Sequence, residues 1–166
     1  MPTWPSPEHR AAWRTYIETS ARLQTRLDQD LRITTGVSLV DYHVLLLLSE
    51  AEDCRLRMGE LAARMVFSSS RLTYQITAME QRGWVVRQQS AEDRRVSHAV
   101  LTAAGLRVLR RAGRHHVRTV QELFTGDLDE EDLRVLARVF GRLRRRLEDD
   151  PATDQRALAR SGDAAR

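Results

Sequence analysis

The feature that most constrains this chain is a change of apolar period between Ser68 and Leu101. Leu72, Ile76 and Met79 are spaced by four and three, which puts them on one side of a helix. After Gly83, residues 84–89 are rich in strand formers and residues 96–101 alternate, around the polar turn Ser90-Ala91-Glu92-Asp93-Arg94-Arg95. A helical period giving way to a two-residue period predicts a helix followed directly by a β-hairpin. Ser68 is placed to cap that helix, and Gly83 to end it in the left-handed conformation. Upstream, residues 55–58 read as a very short strand and residues 59–65 as a short helix joined through Val66-Phe67. The two helices and their two-residue connection form a helix-turn-helix candidate, with Leu72, Ile76 and Met79 packing on Leu61 and Met65.

Long helices are expected on both sides. From about residue 7 to 32, Trp13, Ile17, Ser20, Leu23, Leu27 and Leu31 make one stripe, and Gly36 breaks it. Ser38 is an N-cap candidate with Asp41 at the third helical position, opening a helix over 39–49 that is apolar on most sides and so expected to be central. Thr102 caps a long helix to about residue 124, with Leu106, Leu109, Ala112, His116, Val120 and Leu123 on one face. A last helix from about 130 carries Leu133, Leu136, Phe140, Leu143 and Leu147, a seam spaced like a coiled coil. Residues 1–7, with three of the four prolines, and residues 148–166 are expected to be flexible or disordered.

Composition narrows the function. The longest aliphatic run, Val44 to Leu48, is far too short to cross a bilayer, and no signal peptide is evident at the N-terminus. A single cysteine, Cys54, rules out an internal disulfide framework and fits a reducing cytoplasm. All 27 basic residues are arginine, and the chain carries +4 overall. Between Arg55 and Arg114, 12 arginines stand against four acids (Glu60, Glu80, Glu92 and Asp93), a local charge of +8, so the flanks are net acidic. A partner with a negative backbone fits that distribution, and so does a solvated arginine-rich face.

The outer side of the second helix of the pair is small and polar near its start, where a recognition helix meets base edges. Ser68, Ser69, Ser70, Arg71 and Tyr74 are the DNA-binding candidates there, with the free N–H groups after Ser68 able to hold a phosphate. On the hairpin tip, Arg94 and Arg95 are long enough for a narrow minor groove, and Asp93 can orient an arginine by a bidentate pair. An inert amphipathic helix and a solvated charged turn are the plainer readings of each piece alone. No phosphate-cradling glycine loop, His-Glu-x-x-His or nucleophile elbow is present, which argues against an enzyme.

In their order and spacing, the stretches Met58-Gly59-Glu60-Leu61-Ala62, Phe67 to Thr73, Met79 to Val85, Glu92-Asp93-Arg94-Arg95 and Leu101-Thr102-Ala103-Ala104-Gly105 resemble the MarR family of regulators. The likeness spans roughly residues 8–147 as a single domain. It implies a mainly α fold with a small β-hairpin wing: a winged helix-turn-helix lobe at about 55–101 and a helical dimerisation lobe from about 8–33 and 103–147. It further implies a homodimer on a palindromic operator of double-stranded DNA, released by a small aromatic or acidic ligand, and repression rather than activation. Arg95 would then be the minor-groove arginine and Asp93 its anchor. Where many members carry a mid-helix arginine this chain has Tyr74, followed by Gln75, so operator contacts are expected from this pair instead. The effector pocket of such proteins lies where the first, second and long fifth helices meet, which makes Trp13, Tyr16, His43, Leu47 and His116 the ligand-binding candidates. A metal-responsive reading through His43, His115 and His116, a redox-responsive one through Cys54, and a non-specific DNA-binding protein remain alternatives; no metal site and no cofactor is expected, since no histidines pair at i, i+4.

Overall fold

The computed structural model describes residues 3–90, 93 and 96–149. Its elements in chain order are α1 (Pro7–Thr35), α2 (Leu39–Glu50), β1 (Arg55–Arg57), α3 (Met58–Arg64), α4 (Ser69–Gln81), β2 (Val85–Gln89), β3 (Ser97–Leu101), α5 (Ala103–Val120) and α6 (Glu130–Glu148). The three strands form one antiparallel sheet in the order β1-β3-β2. Residues 55–57, within the very short strand expected at 55–58, pair with the returning hairpin strand, Leu56 opposite Ala99. In the hairpin itself Val85 stands opposite Leu101 and Gln89 opposite Ser97.

Local chemistry sets the helix ends. Ser38, Ser68 and Thr102 each accept a hydrogen bond at Oγ from the backbone N–H three residues on. Ser38 and Asp41 complete a reciprocal capping box. Gly36 (φ 74°) closes α1. Gly83 (φ 70°) closes α4 in a Schellman turn: its N–H donates to Glu80 O at 2.8 Å, and that of Trp84 to Met79 O at 3.0 Å. Three side-chain-bearing residues, Asp53, Cys54 and Val66, also take positive φ. Val66 sits at the tip of the turn between α3 and α4, a β-branched residue where left-handed backbone is strained.

The core lies under the helix-turn-helix. Val44, Leu45 and Leu48 of α2 pack with Leu61, Leu72, Ile76, Met79, Val85 and Ala99. A smaller cluster of Leu31, Val37 and Ala112 joins α1, α2 and α5, and α2 turns 83° from α1. By contrast, α6 adds no buried residue among those described. Its Leu133, Phe140, Leu143 and Leu147 are exposed, as are Trp13, Tyr16 and Ile17 on the N-terminal half of α1. Among the described residues no single helix is long and apolar enough to cross a membrane.

Candidate nucleic-acid interface

Burial of Leu72, Ile76 and Met79 turns the opposite side of α4 to solvent. Ser69, Ser70, Arg71, Thr73, Tyr74 and Thr77 are all exposed there, and Tyr74 is 78% accessible. The start of this face is held in place. Ser68 Oγ lies 3.2 Å from Ser70 Oγ and caps the N–H of Arg71. The Arg71 guanidinium stacks 3.8 Å over the Phe67 ring. That stacking fixes the stem of a long side chain while leaving its polar edge available.

Gln75 is a correction to the sequence-based reading. Expected beside Tyr74 at the DNA face, it is half-buried and its Nε2 donates to Asp41 Oδ1 of α2. A rotation of 100° per residue carries position 75 off the outer face that Tyr74 occupies.

The wing adds a residue that sequence reasoning did not single out. Arg87 of β2 reaches back across α4, its Nη2 donating to Thr77 Oγ1 at 3.0 Å and to Glu80 Oε2 at 3.1 Å, while its N–H donates to Glu80 Oε1 at 2.7 Å. This clamp sets the hairpin against the outer side of the helix. The only advance signal was that Glu80 and Arg87 flank the helix-to-strand turn with opposite charge. At the tip, Val96 N–H donates to Asp93 O and Ser90 N–H to Val96 O. Arg94 and Arg95, the wing arginines, lie outside the described residues.

The five ligand-binding candidates do not converge. Trp13 and Tyr16 contact each other, and Tyr16 contacts Phe140 of α6, with ring centroids 5.9 and 5.7 Å apart. Tyr16, but not Trp13, lines an open groove of about 920 Å³ that runs past Phe140, Leu143 and Leu147 to Arg64 and Val66. His116 sits elsewhere, against the Tyr42 ring at 4.6 Å. Asp30, at the level where α5 meets α1, is roughly 21 Å along the helix axis from Tyr16. His43 is exposed and Leu47 half-buried on α2. The physical reason is helix length: α1 is too long for its aromatic end and its α5-facing end to share one pocket within one chain.

Electrostatics at the α1–α5–α2 junction follow from burial and pairing. Burial, then neighbouring His115, lowers the His116 pKa below the ordinary histidine value. Burial, then Glu50, raises that of the Tyr42 phenol. Thr119 and His115 both bond Asp30 Oδ2, and those bonds, Thr119 first, hold its carboxyl below the usual range. Among the described residues no group of three or more His, Cys, Asp or Glu side chains is placed to hold a metal ion.

The MarR family model matches residues 37–97, from just after α1 to the start of β3. A comparison with curated proteins gives no match. Among solved structures, AbsC, a MarR family transcriptional regulator from Streptomyces coelicolor, is 37% identical, with 90% of this chain and 100% of that one aligned at a TM-score of 0.84. Sco3205, a regulator of the same family and organism solved in complex with DNA, is 34% identical over 86% of this chain and 89% of its own, TM-score 0.81. The organohalide-sensing regulator RdhR-CbdbA1625 in its 2,4-dichlorophenol-bound form shares the fold at 14% identity, 88% and 86% coverage and TM-score 0.72. With a helix-turn-helix whose outer face is bare, a wing clamped beside it and this degree of likeness over nearly the whole chain, the protein belongs to the MarR family of winged helix-turn-helix transcriptional regulators.

Proposed function

We propose that this protein is a sequence-specific, homodimeric DNA-binding regulator, a repressor whose hold on a palindromic operator is relieved by a small aromatic or acidic ligand. The observation that carries the reading is the outer face of α4, where Ser69, Ser70, Arg71 and Tyr74 are solvent-exposed beside a wing that Arg87 of β2 aligns through Thr77 and Glu80. Ser and Arg in the first turn suit phosphate and guanine edges, Tyr74 suits a phosphate or an apolar base edge, and Asp93 and Arg95 of the wing suit the adjacent minor groove. It acts by binding in the cytoplasm, not by catalysis. The Sco3205–DNA complex supports DNA as the partner.

Dimerisation is supported by the apolar side chains that one copy leaves uncovered on α1 and α6. A two-fold pair would hold its recognition helices one groove turn apart, ~34–36 Å. The phenol-bound relative supports an aromatic effector, and the Tyr42–His116 pair offers a ring face and a polar point for one.

Fluorescence anisotropy tests this reading. The protein is titrated with the intergenic duplex beside its own gene and with a shuffled duplex, over a range of salt. Preference for the native duplex should reach ~10³-fold at physiological salt. Arg95→Ala should weaken the specific complex roughly 10-fold or more. A panel of phenols and aromatic carboxylates should release it. No binding to either duplex at low salt would overturn the DNA reading.

A further inference from the structure

A hydrogen-bonded chain runs from α1 to the recognition helix through the first turn of α2. Asp28 of α1 accepts the Leu39 N–H at 2.8 Å. Asp41, two residues on, is buried, and its Oδ2 accepts from Ser38 N–H at 3.2 Å and from Ser38 Oγ at 2.7 Å. The same carboxylate then reaches α4. Gln75 Nε2 donates to Oδ1, and Arg82 Nη1 to Oδ2 at 3.2 Å, with the Arg82 guanidinium stacked 4.9 Å from the Trp84 ring centroid.

We propose that Asp41 is a positioning residue for DNA recognition: its carboxylate, by holding Gln75 at mid-helix and Arg82 at the C-terminal end, fixes the rotation of α4 about its own axis and so decides which of its side chains meet the bases. Two contacts about two turns apart on one helix set both its rotation and its tilt, which one contact could not. A cap alone needs none of this. The capping box is complete with Ser38, and glutamate or glutamine is the residue that ordinarily fills its third position. The shorter aspartate keeps the carboxylate close to α2, and Gln75 and Arg82 come to it from 34 and 41 residues away. A buried carboxylate is stable only when donors surround it, so the partners on α4 are bound to it as strongly as it needs them.

This rests on reading α4 as the recognition helix, and the test separates the two. A duplex pool of random sequence is enriched on the full-length wild-type protein, and the selected duplex and the unselected pool are used as probes. Asp41→Glu keeps the cap but moves the carboxylate by one methylene; Gln75→Leu removes one partner and leaves the cap untouched. Each should still unfold cooperatively, with Gln75→Leu a few degrees below the wild type because one oxygen of the buried carboxylate loses its donor; each should lose preference for the selected duplex roughly 10-fold and keep the weak, salt-dependent binding to the pool. Amide exchange within α4 of the free protein should rise by a similar factor, with α5 unchanged. Wild-type preference together with wild-type protection of α4 in both variants would overturn the proposal. Should the wild-type protein enrich no sequence at all, the regulator reading fails, and the exchange measurement still decides whether Asp41 holds α4.

Discussion

His116 and Tyr42 face each other across α5 and α2, and burial favours the neutral form of both. For His116 the consequence has a definite sign. Its folded pKa is depressed below the unfolded value near 6.5, so below that value the unfolded chain binds more protons and acid pulls the equilibrium toward it. The stability this site contributes is complete above pH ~6.5 and is lost as pH falls through the lower folded pKa. Urea midpoints taken between about pH 7.5 and 5 should therefore drop for the wild type and drop less for His116→Leu; equal slopes would show that His116 titrates as it does unfolded. At this scale the sequence was partly readable. Asp41 as a capping residue follows from its neighbours, because the partner is three positions away. Its bonds to Gln75 and Arg82 do not, because nothing local tells which residue 34 or 41 places on will arrive. Tyr42 escaped notice since α2 reads as apolar on most sides, and which side meets α5 is a tertiary fact.

Among the elements, the junction of wing and α5 is a close one. Thr102 donates its N–H and its Oγ1–H toward Trp84 O, at 3.1 and 3.0 Å, and Oγ1 also lies 2.8 Å from Gly83 O. Gly105, one turn into α5, lies so close that a Cβ there would stand 2.1 Å from Trp84 O. This glycine is required for close approach and not for an unusual φ. Gly105→Ala gains helix propensity of about 1 kcal/mol but meets backbone, so a net loss of about 2–3 kcal/mol is expected in urea unfolding; a stabilised variant would mean the junction can open. The starts of α2, α4 and α5 and the end of α4 were legible, since caps and left-handed glycines act within a few residues, whereas α5, expected to reach about residue 124, ends at Val120 with no glycine to stop it. The pairing of β1 with β3, which closes the sheet, was not, since Leu56 and Ala99 are brought together only by the folding of α3, α4 and the hairpin between them.

For the molecule as a whole, the contrast lies between a well-buried DNA lobe and a helical lobe that one copy cannot cover. The period of the seam on α6 predicted an apolar stripe, and the structure leaves that stripe exposed. Phe140, beside Tyr16 and 41% exposed, is central to that surface. Phe140→Asp should shift sedimentation from dimer to monomer and, with the second recognition helix gone, lower operator affinity by ~10²-fold or more while leaving the helical circular dichroism of the lobe intact. A variant that sediments like the wild type would remove Phe140 from the interface. Between these two lobes runs α5, joined directly to the base of the wing. Trp84 O accepts twice from Thr102, and Gly105 leaves no room for a side chain, so the base of the hairpin is joined to the first turn of α5 without an intervening linker. A five-residue strand is roughly 17 Å long, so a tilt of roughly 10° about this joint would displace Gln89, at the far end of β2, by roughly 3 Å, about the length of a hydrogen bond.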